Sequence, residues 1–436
     1  MKVLKFGGKS IATTERLKFV TDIVTENGKC LVIIPAIPDI TAILEDISDY
    51  LYKKNAEGAN EAINKLQKEL ISIINNLYLS EKAIVQAAEM VNAKIEYIRT
   101  FTKNLFTLFE EKIILAQGEI ISSRLFYLYT QEKGMDCIEL SALDFMRIDK
   151  NYEPDTAYIK ENLTSLLKEN DNNFYITQGY ICKNAYGEID DFRKGGNDYT
   201  ATLAGAAIDA KEIQIWTDVE AIKNIDSKLV NNAQTVDNLS FDEAAELAYF
   251  GDKILHPTSI LPAKLANIPV RILSILEPQS KGTMVSADAE SGKIKAVAAK
   301  DGITAITIKS GKMLLAHGFL RKVFEVFELH STAIDMLASS EIGISLTIDN
   351  PRNLDKIIND LKGYGSVSVD SDMTIICVIG DLDWKNPVTK SKVLNAVKDL
   401  PVRMISYGGS DYNYSFLIKE TDKRQTLNTL NDNLFK

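Results

Sequence analysis

Lys2-Val3-Leu4-Lys5-Phe6-Gly7-Gly8-Lys9-Ser10 opens the chain, and its reading decides the architecture. A short apolar run breaks at a glycine pair. A helical pattern follows from Thr14 to about Asn27, and then Cys30-Leu31-Val32-Ile33-Ile34 is apolar throughout. A five-residue run without a polar side reads as a strand covered on both faces. The order strand, helix, strand predicts a βαβ start and a mainly parallel sheet.

Outward from that start, Ala59 to Gln117 contains neither Gly nor Pro, and Ile63, Leu66, Leu70, Ile73, Ile74 and Leu77 recur at helical spacing. This predicts a helical cover or dimerisation layer. Strands are expected at Asp136–Leu140, Asn173–Cys182, Glu212–Trp216 and Ile268–Leu273, and a helix at Tyr199–Asp209. Ser240 to Phe250 reads as a helix with Ser240 as its cap and Glu243 at the capping-box position. These elements make an α/β domain over 1–290. The tail differs. Its order over 301–370 is βαββαβ, and a second version follows over 371–436. Tandem ferredoxin-like modules suggest a regulatory unit.

The 436 residues suggest two to three domains. The 45% hydrophobic and 25% charged content excludes wholesale disorder. A net charge of −10 argues against nucleic acid or an anionic membrane as partner. No apolar run approaches membrane-span length, and the N-terminus lacks the apolar core of a signal peptide. Four scattered cysteines fit a reducing cytoplasm and show no metal-ligand spacing. With only three histidines, a His-rich metal site or a Ser-His-Asp hydrolase has few candidates. No residue is assigned as a protein metal ligand.

Five places carry chemistry. Gly7 and Gly8 let the backbone approach a phosphate, with Lys5 supplying a compact charge; the ordinary alternative is a tight strand-to-helix turn. Asp198 follows Gly195-Gly196-Asn197 at a helix start, where a carboxylate near lysines holds them in place, or merely meets the helix dipole. Thr217-Asp218 ends a strand, the side on which open α/β sheets bind ligands. Glu119 stands beside Gly118 and is equally readable as a cap. Lys253 and His256 lie in Gly251–Pro257, where a histidine before a proline is more often structural.

Together these residues resemble a known family. Lys5–Ser10 is similar to the KFGGTS opening of aspartate kinases, members of the amino acid kinase superfamily. The similarity continues through Gly118-Glu119, Gln178-Gly179, Gly195–Thr200 (family GRGGSD), Ile215–Val219 (WTDV), Tyr249–Pro257 (YFGAKVLHP) and Ile268–Arg271 (IPVR). The resemblance implies a three-layer sandwich with a mainly parallel sheet, followed by two ferredoxin-like ACT modules. It implies transfer of the γ-phosphoryl of ATP, with Mg²⁺, to the side-chain carboxylate of L-aspartate. Lys5 would stabilise the transferring group, Gly7 and Gly8 would donate backbone N–H groups, and Asp198 would organise the lysines. Glu119 would bind the substrate's α-amino group, with Arg193, Lys194 and Asn197 on the substrate side. Thr217, Asp218, Lys223, Lys228 and Lys253 would line the nucleotide. Because the acceptor is already an anion, positioning and charge neutralisation carry the reaction.

The departures are specific. Lys9 stands where the family has Thr, Lys194 where a substrate-carboxylate Arg usually sits, and Asn197 replaces Ser. Pro35–Asp39 replaces an SAMSG-like loop. Lys223 and Lys228 stand for Tyr and Arg, and Ser227 for Pro. In the tail, Met313, Gly318, Phe319, Leu320, Ile334, Asp335, Ser340 and Glu341 resemble the lysine-binding first ACT module of lysine-inhibited members, with core packing as the alternative for the apolar ones. Lysine is favoured over threonine as effector. The resemblance also implies a cytoplasmic homodimer or higher homo-oligomer through the ACT modules. With Lys436 directly after the second module, a monofunctional enzyme is expected. The rival reading is a non-catalytic amino-acid-sensing subunit on a decayed kinase domain.

Overall fold

The structure, a computed structural model, describes residues 1–103, 105–193, 195–218, 222–251, 256–290, 292–310, 317–383 and 385–435. Two units emerge, one of Met1–Ile222 and Ile254–Ala289, the other of Lys223–Lys253 and Glu290–Lys436.

The first unit holds β1 (Lys2–Phe6), β2 (Cys30–Ile34), β3 (Cys137–Leu140), β4 (Phe174–Gln178), β5 (Ile181–Lys183), β6 (Ile189–Asp191), β7 (Ile213–Thr217), β9 (Val270–Ser274) and β10 (Thr283–Val285), while β8 (Asn238–Leu239) falls in the second. Its sheet runs β3-β4-β2-β1-β7-β9-β10. All neighbours pair in parallel except β10, which returns antiparallel to β9. The expected parallel sheet is present, and β2 is buried along its whole length. Each such fully buried Leu or Ile contributes about 1.5–3 kcal/mol.

The helices of this unit are α1 (Thr14–Glu26), α2 (Pro38–Tyr52), α3 (Ala56–Leu77), α4 (Glu81–Thr100), α5 (Leu108–Glu132), α6 (Ala142–Phe145), α7 (Thr156–Glu169), α8 (Gly196–Ala207) and α10 (Pro257–Leu265). Alternate residues of the central strands separate two layers. Leu4, Phe6, Val32 and Ile34 face a core shared with α1 to α5. Helix α8 packs on β1, β2 and β7, and α7 and α10 pack on α8. Helices α3 and α4 form the expected cover, lying against α2 and α5. The strand read over Asn173–Cys182 is broken at Gly179-Tyr180, where Tyr180 has φ +63°.

The second unit contains a six-stranded antiparallel sheet. Its strands are β11 (Ile294–Lys309), β12 (Leu337–Ser339), β13 (Gly343–Ile348), β14 (Ser366–Gly380), β15 (Met404–Ser406) and β16 (Asn413–Lys419), ordered β12-β13-β11-β14-β16-β15. Strands β11 and β14 pair along nearly their full lengths, with a register shift around Gly302, whose φ is +73°. Helices α11 (Phe319–Leu329) and α12 (Leu354–Leu361) share a core with Ile306, Ile308, Ile344 and Leu346. Helices α13 (Pro387–Val397) and α14 (Lys423–Leu434) share another with Ile376, Val378 and Phe416. Helix α9 (Phe241–Phe250) covers the alternate set, Ala298, Ile303, Ala305, Ile375 and Cys377. It begins with the expected capping box: Glu243 N–H donates to Ser240 Oγ at 3.1 Å, and Ser240 N–H to the Glu243 carboxylate at 2.7 Å. Among the described residues no helix is long and apolar enough to cross a membrane.

Candidate active site

Parallel pairing sets the C-terminal ends of the central strands side by side. Phe6 lies opposite Trp216 and Ile34 opposite Gln178. From β1 the chain first adds β2 on one side and later β7 on the other, so the winding reverses between β1 and β7. Ligands of doubly wound sheets bind at such a reversal. The loops that meet this edge carry Gly7-Gly8, Ala36, Gly179 and Asp218.

Gly7 N–H donates to the Trp216 carbonyl at 2.9 Å, tying the first loop to the end of β7. Gly7 has φ −74°, and a Cβ on either glycine would meet nothing closer than 3.5 Å. The fold itself therefore does not demand glycine here, which leaves backbone approach by a ligand as the reason for it. Lys5, one residue before the strand end, is buried, and its Nζ lies 2.6 Å from Asp198 Oδ1. Asp198 occupies the first turn of α8, where the helix dipole favours a carboxylate. That helix starts on Gly195 at φ +79° and Gly196 at φ +51°. At Gly195 glycine is required by the fold, because a Cβ would sit 3.0 Å from that of Ser259.

Glu119 is brought in by close packing, since a Cβ at Gly118 would lie 3.2 Å from those of Ala36 and Leu44 Cδ1. Burial pushes the Glu119 carboxyl up to about 8, against hydrogen bonds from the Ala36 N–H and the Asn197 side chain and the nearby charge of Lys5. Asn197 fits because residue 179 is glycine: a Cβ there would fall 1.8 Å from Asn197 Oδ1. Gln178 is pinned beneath it, accepting from Ala142 N–H at 2.8 Å and donating to Ser123 Oγ at 2.7 Å. Glu119 Oε2 and Asn197 Oδ1 are both buried with no hydrogen-bond donor. Two orphaned acceptors call for a donor from a ligand, and an ammonium group is the natural complement.

The structure thus joins Lys5, Gly7, Gly8, Glu119, Asn197 and Asp198 in one unit. Thr217 closes β7, its carbonyl accepting from Ile275 N–H at 2.9 Å, and Asp218 follows at the same edge. Arg193 is exposed, its guanidinium 4.1 Å from the Tyr152 ring centroid. Lys223 and Lys228 belong to the second unit, the former donating to Thr235 Oγ1 at 3.3 Å and the latter exposed. Lys194, Lys253 and Met313 lie outside the described residues. His256 caps α10, its Nδ1 2.7 Å from Thr258 Oγ1, in keeping with the structural reading of that residue.

Of the tail residues, Gly318 caps α11 at φ +82°. Phe319 is buried in the core beside Val323, Ile334 packs partly against it, and Leu320, Ser340 and Glu341 are exposed. Asp335 has its side chain 1% exposed, with Lys300 Nζ 2.8 Å away. Lys300 also lies 2.8 Å from Asp349 and 4.5 Å from the Tyr249 ring centroid, and Tyr249 OH donates to Asp335 at 2.6 Å. Burial draws Lys300 down, but its two carboxylate partners more than offset this and it is pushed up to about 12. Asp335 Oδ2 has no donor. Sequence reasoning missed Lys300, and also the Ala36 N–H that meets Glu119. The resemblance at Gln178-Gly179 was the signal nearest to the seat of Asn197.

A glycine-pair turn at the reversal of a doubly wound sheet, with an anchored lysine and two buried acceptors without donors beside it, defines an α/β enzyme built to handle a phosphate and a small polar compound together. The chain belongs to the amino acid kinase family, whose model matches residues 1–274. An ACT domain model matches 376–434. The chain is 29% identical to the lysine-sensitive aspartokinase 3 of Escherichia coli, with 100% of this chain and 99% of that protein covered. It is 28% identical to the chloroplastic aspartokinase 1 of Arabidopsis thaliana, with 100% of this chain and 80% of that protein covered. Among solved structures, E. coli aspartokinase III with lysine and aspartate superposes over 100% of both chains at a TM-score of 0.84 and 29% identity. The same enzyme with aspartate and ADP gives a TM-score of 0.78 at 28% identity, again over 100% of both chains.

Proposed function

We propose that this protein is an aspartate kinase that moves the γ-phosphoryl of MgATP onto the side-chain carboxylate of L-aspartate and is inhibited by lysine. The observation that carries the reading is the joint placement of the Lys5–Asp198 pair and the orphaned acceptors of Glu119 and Asn197 at one sheet edge. Glu119 and Asn197 take the substrate ammonium, which fixes the molecule at the end away from the reacting carboxylate. Lys5, held by Asp198 rather than by solvent, offers a preorganised charge to the phosphoryl oxygens in flight. Gly7 and Gly8 add backbone donors. No side chain needs to remove a proton, since the nucleophile is ionised at neutral pH.

Bound with the nucleotide, Mg²⁺ would supply neutralisation of phosphate charge beside Asp198 and Asp218. Among the described residues no group of three or more His, Cys, Asp or Glu is assembled to hold an ion. With Glu119 turned to the substrate ammonium, Asp198 and Asp218 are the described carboxylates at this edge on the phosphate side, which fit a metal carried mainly by phosphate oxygens. We assign catalysis to 1–290 and regulation to ACT modules at 301–370 and 371–436, through which the cytoplasmic chain forms a homodimer or larger homo-oligomer. The lysine bound in the E. coli aspartokinase III structure favours that effector, and Asp335 is the carboxylate that would meet it.

The test is ATP- and Mg²⁺-dependent aspartyl phosphate formation, trapped as the hydroxamate, with and without lysine. Turnover suppressed by lysine is expected. Turnover indifferent to lysine removes the effector assignment, and no turnover in a chain that still binds ATP makes it a sensor rather than an enzyme.

A further inference from the structure

Lys9 is absent from the machinery assigned above, yet it occupies a pointed position. It sits directly after Gly7-Gly8, and its Nζ is 4.0 Å from Asp218 Oδ2, across the reversal between β1 and β7. Its backbone is held firmly: Arg16 Nη1 donates to the Lys9 carbonyl, as does Ala12 N–H at 3.4 Å. Its side chain is not. It is 77% exposed, and an exposed pair at that separation is worth only about 0–1 kcal/mol. The result is a cation on a fixed base with a weakly held tip. Lys5, by contrast, is held 2.6 Å from Asp198.

The edge is also polarised. Glu119 meets Ala36 in the loop after β2, and Asn197 lies on Gly179 after β4, so the amino compound belongs to that side of β1. Lys9 and Asp218 lie on the β7 side. We propose that Lys9 is a nucleotide-binding residue, which leaves Asp218 when MgATP enters and pairs with the terminal phosphates, replacing the hydroxyl of the family's Thr with a full charge. The inference rests on the kinase reading for its reaction, but only on nucleotide occupancy of the crevice for its contact. A phosphate oxygen outcompetes Asp218 because it carries more charge and meets the ammonium at hydrogen-bonding distance.

The experiment compares the full-length chain with Lys9→Thr, Lys9→Met and Lys9→Arg. Steady-state kinetics give KM for MgATP and for aspartate, and titration calorimetry gives Kd for MgADP at low and high KCl. Lys9→Thr and Lys9→Met should raise KM for MgATP and Kd for MgADP about tenfold, leave KM for aspartate within about twofold, and flatten the salt dependence of nucleotide binding. Lys9→Arg should retain most of the affinity. Unchanged nucleotide constants in Lys9→Thr overturn the proposal, as does an effect confined to aspartate. If the parent chain does not phosphorylate aspartate, the reaction assignment fails while calorimetry still judges Lys9. If the parent chain binds no MgADP, both fall.

Discussion

Glu119 is the residue whose chemistry is most exposed to measurement. Burial holds its carboxyl at about 8, against 4.5 for the free group, so in the unliganded enzyme it is mostly neutral at pH 7. An arriving ammonium favours the ionised form. kcat/KM for aspartate should therefore rise from pH 6.5 to 9 along a titration near 8. In Glu119→Gln it should be flat across that window and lower by about 10–100-fold, the worth of a charged hydrogen bond. The stability sign runs the other way. A folded pKa above the unfolded one means the stabilisation is complete below about 4.5 and is lost as pH climbs through 8. Melting of the unliganded chain should fall over that range, and Glu119→Gln should reduce the slope. Lys5→Met should cut kcat by about 10²–10³-fold with little change in KM for aspartate, as expected of a group that acts on charge developing in the transition state. Glu119 was legible in the sequence only through its motif. That it would be a buried, raised carboxyl was not, because the depth of a side chain depends on helix α5 meeting Ala36 from a distant stretch of chain.

At the scale of elements, local rules carried far. The all-apolar β2, the glycine-free helical stretch and the Ser240–Glu243 box each announce their structure through near neighbours. The misjudged lengths have non-local causes. Strand β11 begins at Ile294, before the 301–370 span read as the first module, because its first half is held by β14. The break at Gly179-Tyr180 is likewise set by Thr200, whose Oγ1 accepts from Tyr180 N–H at 3.0 Å. Glycines separate ligand-driven from fold-driven requirements. Gly195, at φ +79° with Ser259 against it, should not tolerate a side chain, and Gly195→Ala should lose about 1–2 kcal/mol in denaturant melts. Gly7, at φ −74° with free room, should accept one, so Gly7→Ala should melt like the parent while turning over poorly. Equal melting losses in both variants would show that Gly7 serves the fold after all.

At the scale of the whole molecule, fully buried carboxylates are few among the described residues, and in the second unit one of them, Asp335, is the centre of a four-residue cluster. Tyr249 of α9, Lys300 of β11, and Asp335 and Asp349 flanking β12 and β13 meet around a single ammonium. No sequence pattern foretold this, since the four residues are separated by strands and helices that only the sheet brings together. Lys300, pushed up to about 12, keeps its charge throughout the physiological range, so the cluster adds no pH dependence there. Its stability is present below the free lysine value and lost only near 12. Asp335 is 1% exposed and Asp349 41% exposed, so removing the cation strands the former far more than the latter. Lys300→Met should therefore destabilise this unit by about 3 kcal/mol, the usual consequence of leaving a buried charge alone. Free lysine carries the missing group. If Asp335 is the effector's carboxylate, millimolar lysine should raise the melting temperature of Lys300→Met by more than it raises that of the parent chain. Norleucine, which lacks the ε-ammonium, should restore less. Equal shifts in the two chains would place the effector elsewhere and leave Lys300 and Asp335 as a structural pair.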